Sequence, residues 1–436
     1  MTMKASERAV LVGIVVVAGL ALRCGYVATV EVVDPLRTDA GQYAQYADNL
    51  LHHGTFSLQQ QVPPQPDSFR SPGYPVLLAL VRWLMADDWL RALCWLQAVL
   101  GTAIVPLTFA LARRLLPFGA ALAAAVYVAF SPHLVVANGY VLTESVSAVV
   151  LTGALLLLLR AAGSARPARL FAVAGAVLGV AALINEAMAP LPLLLAWSGW
   201  RQWGGRPALA LVLAAAVPIG AWSLRNATQP LARSGGERVL VSLSHGSYPG
   251  MFFATEQYRY YPYREDPEQP AFGASWPRFR AVLAQRMAER PWRYLGWYLF
   301  EKPVWLWSWT ILQGTGDAYV YPVRHSPFET QPALSCLRDL YRGLQLPFAL
   351  LAAFGCLLAW WHAQLRPLAI PLAFSTALYS LLLPDPRYFV PLRPLQAVLA
   401  AGAVALLCQW LRARHAAAMA PAATAVPAQH DPVPSG

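Results

Sequence analysis

Residues 38–54 read TDAGQYAQYADNLLHHG, and residues 69–75 read FRSPGYP. The first stretch is polar, carries regularly spaced aromatics and lies between strongly apolar runs. Tyr43, Tyr46, Ala47 and Leu50 recur at spacings of 3, 4 and 7, which puts them on one helical face. Asp39 is expected to cap the N-terminus, with Gln42 three residues on as in a capping box. Gly54 stands where a helix-ending glycine belongs, and His52 and His53 fall in the last turn. A short helix on the non-cytoplasmic side of a membrane is therefore expected. Two readings of Asp39 are open: a cap on a helix lying at the bilayer surface, or a carboxylate at the mouth of an active site.

The composition settles the class. Of 436 residues, 57% are hydrophobic and only 13% charged, with a mean hydropathy of +0.43. A soluble chain carries roughly a quarter charged residues, so an all-α polytopic membrane protein is expected. The net charge of +11 lies mostly in short basic loops and one long polar segment, and does not call for nucleic acid. The five cysteines are scattered, with no spacing that suggests a metal site or a disulfide framework. The first apolar run has only Lys4 and Arg8 before it and no small-residue cleavage site, so it reads as an uncleaved helix.

Apolar runs of spanning length or slightly less lie near 9–30, 91–112, 117–135, 140–159, 168–184, 187–200, 207–223, 343–361, 367–383 and 395–411. About ten spans are expected from the roughly 20-residue requirement, the runs at 187–200 and 207–223 being short and proline-bearing. With ten, the arginines at 8, 113, 114, 160, 166, 169, 201, 206, 366, 412 and 414 fall on one side, with Lys4. The positive-inside rule makes that side cytoplasmic. The expected location is the plasma (inner) membrane. Four regions follow: an N-terminal membrane module over 1–223 with a first outer loop at 31–90, a large outer segment over 224–342, C-terminal membrane helices over 343–412, and a disordered cytoplasmic tail over 413–436. Within the outer segment, residues 276–311 combine Arg with clustered Trp and Tyr, as two interfacial helices do.

Acidic and basic groups collect on the outer face. Asp39 follows the first span, Glu144 opens the fourth, and Glu186 sits at a tight turn. A carboxylate at membrane depth is costly and is a functional candidate, although Glu144 also suits the dipole of its own helix and Glu186 also suits a solvated turn. Arg70, Arg225, Lys302, Arg387 and Arg393 lie on the same face, where basic groups can equally bind lipid headgroups. Lys302 stands out because the chain has 31 arginines and two lysines. Such a face suits one reaction: an anionic leaving group held by cations departs while a carboxylate accepts the proton of an attacking hydroxyl. Tyr258, Tyr260, Tyr261 and Tyr263 could stack on sugar rings or simply pack their loop.

These motifs resemble a known set. Asp39–x3–Tyr43–x3–Ala47–x2–Leu50–x3–Gly54–x–Phe56, then Arg70–x–Pro72–Gly73–Tyr74–Pro75, resembles the first outer loop of GT-C fold glycosyltransferases. The nearest group is the family 39-like set, related to protein O-mannosyltransferases and the aminoarabinose transferase of lipid A. Ser131–Pro132 with Thr143–Glu144 is similar to their second acidic motif, and Trp222–x2–Arg225–Asn226 to their WxxRN. Pro291 with Lys302 resembles the loop element before their last helices. Arg387–Tyr388–x2–Pro391–x2–Pro394 is similar to their RYxxPxxP.

The resemblance implies inverting transfer of a sugar from a polyprenyl-phosphate donor to a hydroxyl or phosphate acceptor on the extracytoplasmic face. It implies Asp39 as the catalytic acid/base residue, with Glu144 as a second catalytic candidate, and Arg387 and Lys302 on the donor phosphate. Tyr43, Arg70, Tyr74, Glu186, Arg225 and Tyr388 are the further substrate-binding candidates. The chain departs from the pattern at Ile184–Asn185–Glu186, where relatives commonly carry a basic residue. No doubled acidic motif stands beside Asp39, so neither a divalent metal nor another cofactor is expected. The competing readings are a transporter or flippase for a lipid-linked sugar and a non-catalytic binder of such a lipid. A transporter would place its charges near the midplane; here they collect at one face.

Overall fold

The computed structural model describes residues 3–251, 261–313 and 321–419. The chain begins with α1 (Ala5–Thr29), the two-residue strand β1 (Glu31–Val32) and α2 (Asp39–His53). Next come α3 (Gly73–Met85) and α4 (Trp89–Arg113), joined by a single turn of helix. Then follow α5 (Phe118–Phe130), α6 (Pro132–Val136), α7 (Glu144–Ala162), α8 (Pro167–Ile184), α9 (Leu191–Trp203) and α10 (Gly205–Thr228).

The segment expected to lie outside carries α11 (Gly235–His245), α12 (Gln269–Phe272), α13 (Trp276–Glu289), α14 (Pro291–Gly296) and α15 (Lys302–Leu306), the last two joined by one wide π turn. The break at Arg290 divides this stretch into the two helices expected over 276–311. After β2 (Val323–His325) come α16 (Pro327–Thr330), α17 (Pro332–Gly343), α18 (Gln345–Leu358), α19 (Arg366–Leu381) and α20 (Arg393–Met419). α20 runs past the boundary expected at 412, and residues 420–436 of the expected tail lie outside the described residues.

The span count differs from the expected ten. Among the described residues, six helices are long and apolar enough to cross a membrane, eight if each of two bent pairs is one span. The runs at 187–200 and 367–383 fall short because α9 and α19 hold 13 and 16 residues. At 1.5 Å per residue they reach about 20 and 24 Å, less than a hydrocarbon core of about 30 Å. The packing still gives α9 a direction. A Cβ on Gly175 of α8 would meet the Leu211 carbonyl of α10, and one on Gly179 would meet Ala215. Contacts that advance together mean parallel helices, so the segment between α8 and α10 returns the chain from one end of α8 to the other.

One bent pair shows how the sequence sets the geometry. Pro132 cannot continue the ladder of α5, and Ser131 before it is extended at φ −62°, ψ 116°. The carbonyls freed at this break receive a side chain instead. Arg23 of α1, fully buried, donates to Ala129 at 2.8 Å and to Val128 at 3.0 Å. The break is thereby held at a fixed bend of 47°.

Two ties bring the outer segment onto the first loop. β1 pairs antiparallel with β2, Glu31 opposite His325. Farther along, Ser68 N–H donates to the Arg233 carbonyl at 3.0 Å, and Ala232 N–H to Pro66 at 2.8 Å.

Candidate active site

α2 buries the face its spacing predicts: Tyr43, Tyr46 and Ala47 are inside and Leu50 is half-buried. Its C-terminus ends on Gly54 in the left-handed region, φ 61°. Its N-terminus differs from expectation. Thr38, not Asp39, is the residue before the first turn, and no side chain caps the helix. Gln42 makes no capping box either; its amide oxygen accepts from Arg70 Nε at 2.8 Å. The reason is electrostatic. Two guanidiniums lie within reach of Asp39, and charge-assisted contacts outcompete a neutral cap.

Those guanidiniums come from opposite ends of the chain. Arg70 NH2 donates to Asp39 Oδ1 at 2.5 Å, and Arg387 NH2 donates to Asp39 Oδ2 at 2.8 Å. Arg387 also turns Nε toward Glu144 Oε1, an ion pair at 3.2 Å without hydrogen-bond alignment. Both arginines and Glu144 are buried, whereas the Asp39 side chain keeps 25% of its exposure. Asp39 is thus the most open member, standing between two cations with a second carboxylate behind one of them. Burial pushes its carboxyl up, but Arg70 and then Arg387 outweigh that and hold it well below the usual carboxylate range. Burial likewise opposes the charge on Arg70, and Asp39 more than restores it.

Each cation is fixed by local sequence. Arg387 sits in a 3-10 turn, Pro386–Leu392, whose prolines stiffen it. Asp385 accepts from the Arg387 backbone N–H at 2.8 Å and sets the start of that turn. Arg70 is held by the Gln42 amide and lies over the Tyr43 ring at 5.2 Å. Its loop is built around buried Asp67, which accepts from Leu58 N–H at 2.7 Å, Phe69 N–H at 3.1 Å and the Tyr46 hydroxyl. Gly73 follows where α3 meets the end of α8: a Cβ there would lie 2.8 Å from the Leu183 carbonyl.

The other candidates divide. Tyr43 and Tyr74 meet edge to face at 5.2 Å beside Arg70, but Tyr74 is fully buried and donates to Gln97 at 3.0 Å. Tyr388 stacks on Tyr379 at 4.4 Å, and the Arg387 guanidinium lies 5.5 Å from the Tyr388 ring centre. Glu186 accepts from Ser71 and pairs with Arg238 of α11, linking the first loop to the outer segment. Arg225 turns elsewhere. It donates to the carbonyls of Asp67 at 2.7 Å and Phe56 at 3.3 Å and lies over Trp222 at 4.9 Å. It clamps the first loop to α10. Lys302 is fully buried and donates to Leu382 at 2.8 Å, with Tyr298 at 4.1 Å from its ammonium. Burial pushes that ammonium well below an ordinary lysine. Arg393 is buried against Gln345 and His133.

Comparison with known proteins bears on the fold. A family model described as dolichyl-phosphate-mannose-protein mannosyltransferase matches residues 69–223, about a third of the chain. The oligosaccharyltransferase AglB from Archaeoglobus fulgidus, solved with an inhibitory peptide and a dolichol-phosphate, superposes with a TM-score of 0.50 at 13% identity. The alignment covers 97% of this chain and 52% of that one, so the chain spans about half the length of the structure it matches. The chain has a GT-C fold. ArnT from Cupriavidus metallidurans, bound to undecaprenyl phosphate, aligns at a TM-score of 0.39 and 16% identity over 93% of this chain and 79% of that one. No curated protein matches the sequence.

Within this GT-C fold, several site residues escaped the sequence reading. Gln42 had its signal, three residues from Asp39 on the same face, but was assigned to a cap. Asp67 and Arg238 had none, because their partners lie on other elements. Of the loop tyrosines, Tyr258 and Tyr260 lie outside the described residues. Tyr261 and Tyr263 pack with Trp297, and Tyr263 stacks on His245 at 3.9 Å.

Proposed function

We propose that the chain is an enzyme that transfers a glycosyl group from a polyprenyl-phosphate donor to an acceptor on the extracytoplasmic face, with inversion. The acceptor oxygen attacks the anomeric carbon, the carbon–oxygen bond to phosphate breaks, and the phosphate leaves with the electron pair. Arg70 and Arg387 hold that phosphate, and Asp39 takes the proton from a hydroxyl acceptor. Glu144 keeps Arg387 charged and aimed.

The observation that carries this reading is Asp39 between Arg70 and Arg387 with Glu144 behind. That is a base beside an anion-binding pair, which phosphate departure needs. The dolichol-phosphate in the AglB structure supports a polyprenyl-phosphate donor. The test is transfer of radiolabelled sugar. Purified protein in nanodiscs is incubated with a panel of polyprenyl-phosphate sugars and membrane extract. Labelled product that vanishes with Asp39→Asn supports the reading. Absence of product across the panel, with polyprenyl phosphate still bound, removes the transferase assignment.

A further inference from the structure

We infer that Asp39 holds the seat of the donor phosphate, so that donor binding displaces its carboxylate and thereby turns it into a base. This rests on the donor reading above. The two Oδ atoms each take one NH2 nitrogen, at 2.5 Å from Arg70 and 2.8 Å from Arg387. Two oxygens of one small anion bridging two guanidiniums is the arrangement a phosphodiester's two non-bridging oxygens make. The remaining contacts of both cations point inward. Arg70 is tied to Gln42, and Arg387 Nε faces Glu144. The exposed member is Asp39, so an anion arriving from outside meets the carboxylate before it can bridge the pair.

The exchange has a chemical consequence. While Asp39 is paired to two arginines, its proton affinity is low and it is a poor base. When a phosphate takes both NH2 contacts, the carboxylate loses its two cations and gains a neighbouring anion. Both changes raise its proton affinity. It is then beside the phosphate, where the attacking hydroxyl must come. The proton of that hydroxyl passes to Asp39, and the pair of electrons of the broken bond passes to the phosphate that displaced it. Base activation is thus conditional on a loaded donor.

Displacement makes an unusual prediction: removing the negative charge of a catalytic residue tightens donor binding. The probe is undecaprenyl phosphate, without sugar, titrated into the full chain in nanodiscs. Asp39→Asn is expected to bind it about tenfold tighter, the scale of one charge-assisted contact no longer broken. Asp48→Asn controls for the loss of a charge on the same helix, since its partners are Arg82 and His52. A change below about twofold is expected there, as for an exposed pair. Thermal melting checks the fold, and Asp39→Ser replaces Asp39→Asn if the latter fails to fold. Equal or weaker binding by a folded Asp39 variant overturns the displacement. Lack of binding by the wild type instead overturns the donor reading.

Discussion

Lys302 Nζ donates to the Leu382 carbonyl at 2.8 Å and so sits at the C-terminal end of α19, directly ahead of the turn that carries Arg387. An ammonium there satisfies carbonyls that a helix end leaves without partners. The resemblance assigns Lys302 to the donor phosphate; its contacts support a second role, positioning the Arg387 turn.

Lys302→Met is therefore expected to lower thermal stability. Leaving a buried carbonyl unsatisfied costs about 1–3 kcal/mol, offset in part because a buried cation is removed. The affinity for polyprenyl phosphate should stay within about threefold, well under the tenfold scale of a lost charge-assisted contact. Melting and titration on one preparation decide it. A tenfold loss of affinity at unchanged melting temperature returns Lys302 to the phosphate.

For Arg387 the expectation is the reverse. Arg387→Ala should weaken polyprenyl-phosphate binding at least about tenfold, since one charge-assisted contact is worth about 1.5–3 kcal/mol. Arg387→Lys should be impaired as well, because an ammonium cannot face Asp39 and Glu144 with separate nitrogens as the guanidinium fork does. Wild-type affinity in either variant rejects the assignment.

Asp39→Asn should cut turnover by about 100- to 10,000-fold, the range for loss of a general base. The helix does not depend on Asp39 as a cap, so the fold should survive the change. Steady-state transfer, read beside melting, checks this. Near-wild-type turnover would mean that Asp39 does no proton transfer; a phosphate acceptor, already ionised, would shrink the effect.

Stability should depend on pH through Asp39. It faces Arg70, Arg387 and, farther off, Arg238, with Glu144 across Arg387. Burial raises its pKa, the arginines lower it further, and the net direction is down. A carboxyl depressed in the folded state contributes stability above its unfolded pKa of about 3.9 and loses it as pH falls toward the folded value. The melting gap between wild type and Asp39→Asn should hold steady from neutral pH to about pH 5 and close below about pH 4. Carboxylates that share no partner with Asp39 titrate alike in both proteins and cancel in the difference. A gap that does not change with pH counts against the ion pairs.

The proposed orientation has its own test. In a background without the five native cysteines, a cysteine in place of Glu265 should react with an impermeant thiol reagent on intact cells. One in place of Ala425 should be protected. Labelling at both positions removes the orientation with both termini inside.

The sequence by itself determined the membrane class and the helical character of 39–53. Each is a one-dimensional property: hydropathy and a 3.6-residue period survive any arrangement of the helices. The same is true of Gly54, whose backbone freedom is local. The span count was harder to read because hydropathy does not see where a helix stops, and α9 and α19 end before they reach spanning length. Only the tertiary structure decided what the charges do. Asp39 and Gln42 look like a capping box until Arg70 and Arg387, 31 and 348 residues from Asp39, arrive beside them. Arg225 and Lys302 read from the sequence as cations near a site; that backbone carbonyls beside the first loop and α19 accept from them is visible only in the fold. A buried charge takes the partner that packing brings to it, and packing is a property of the whole chain.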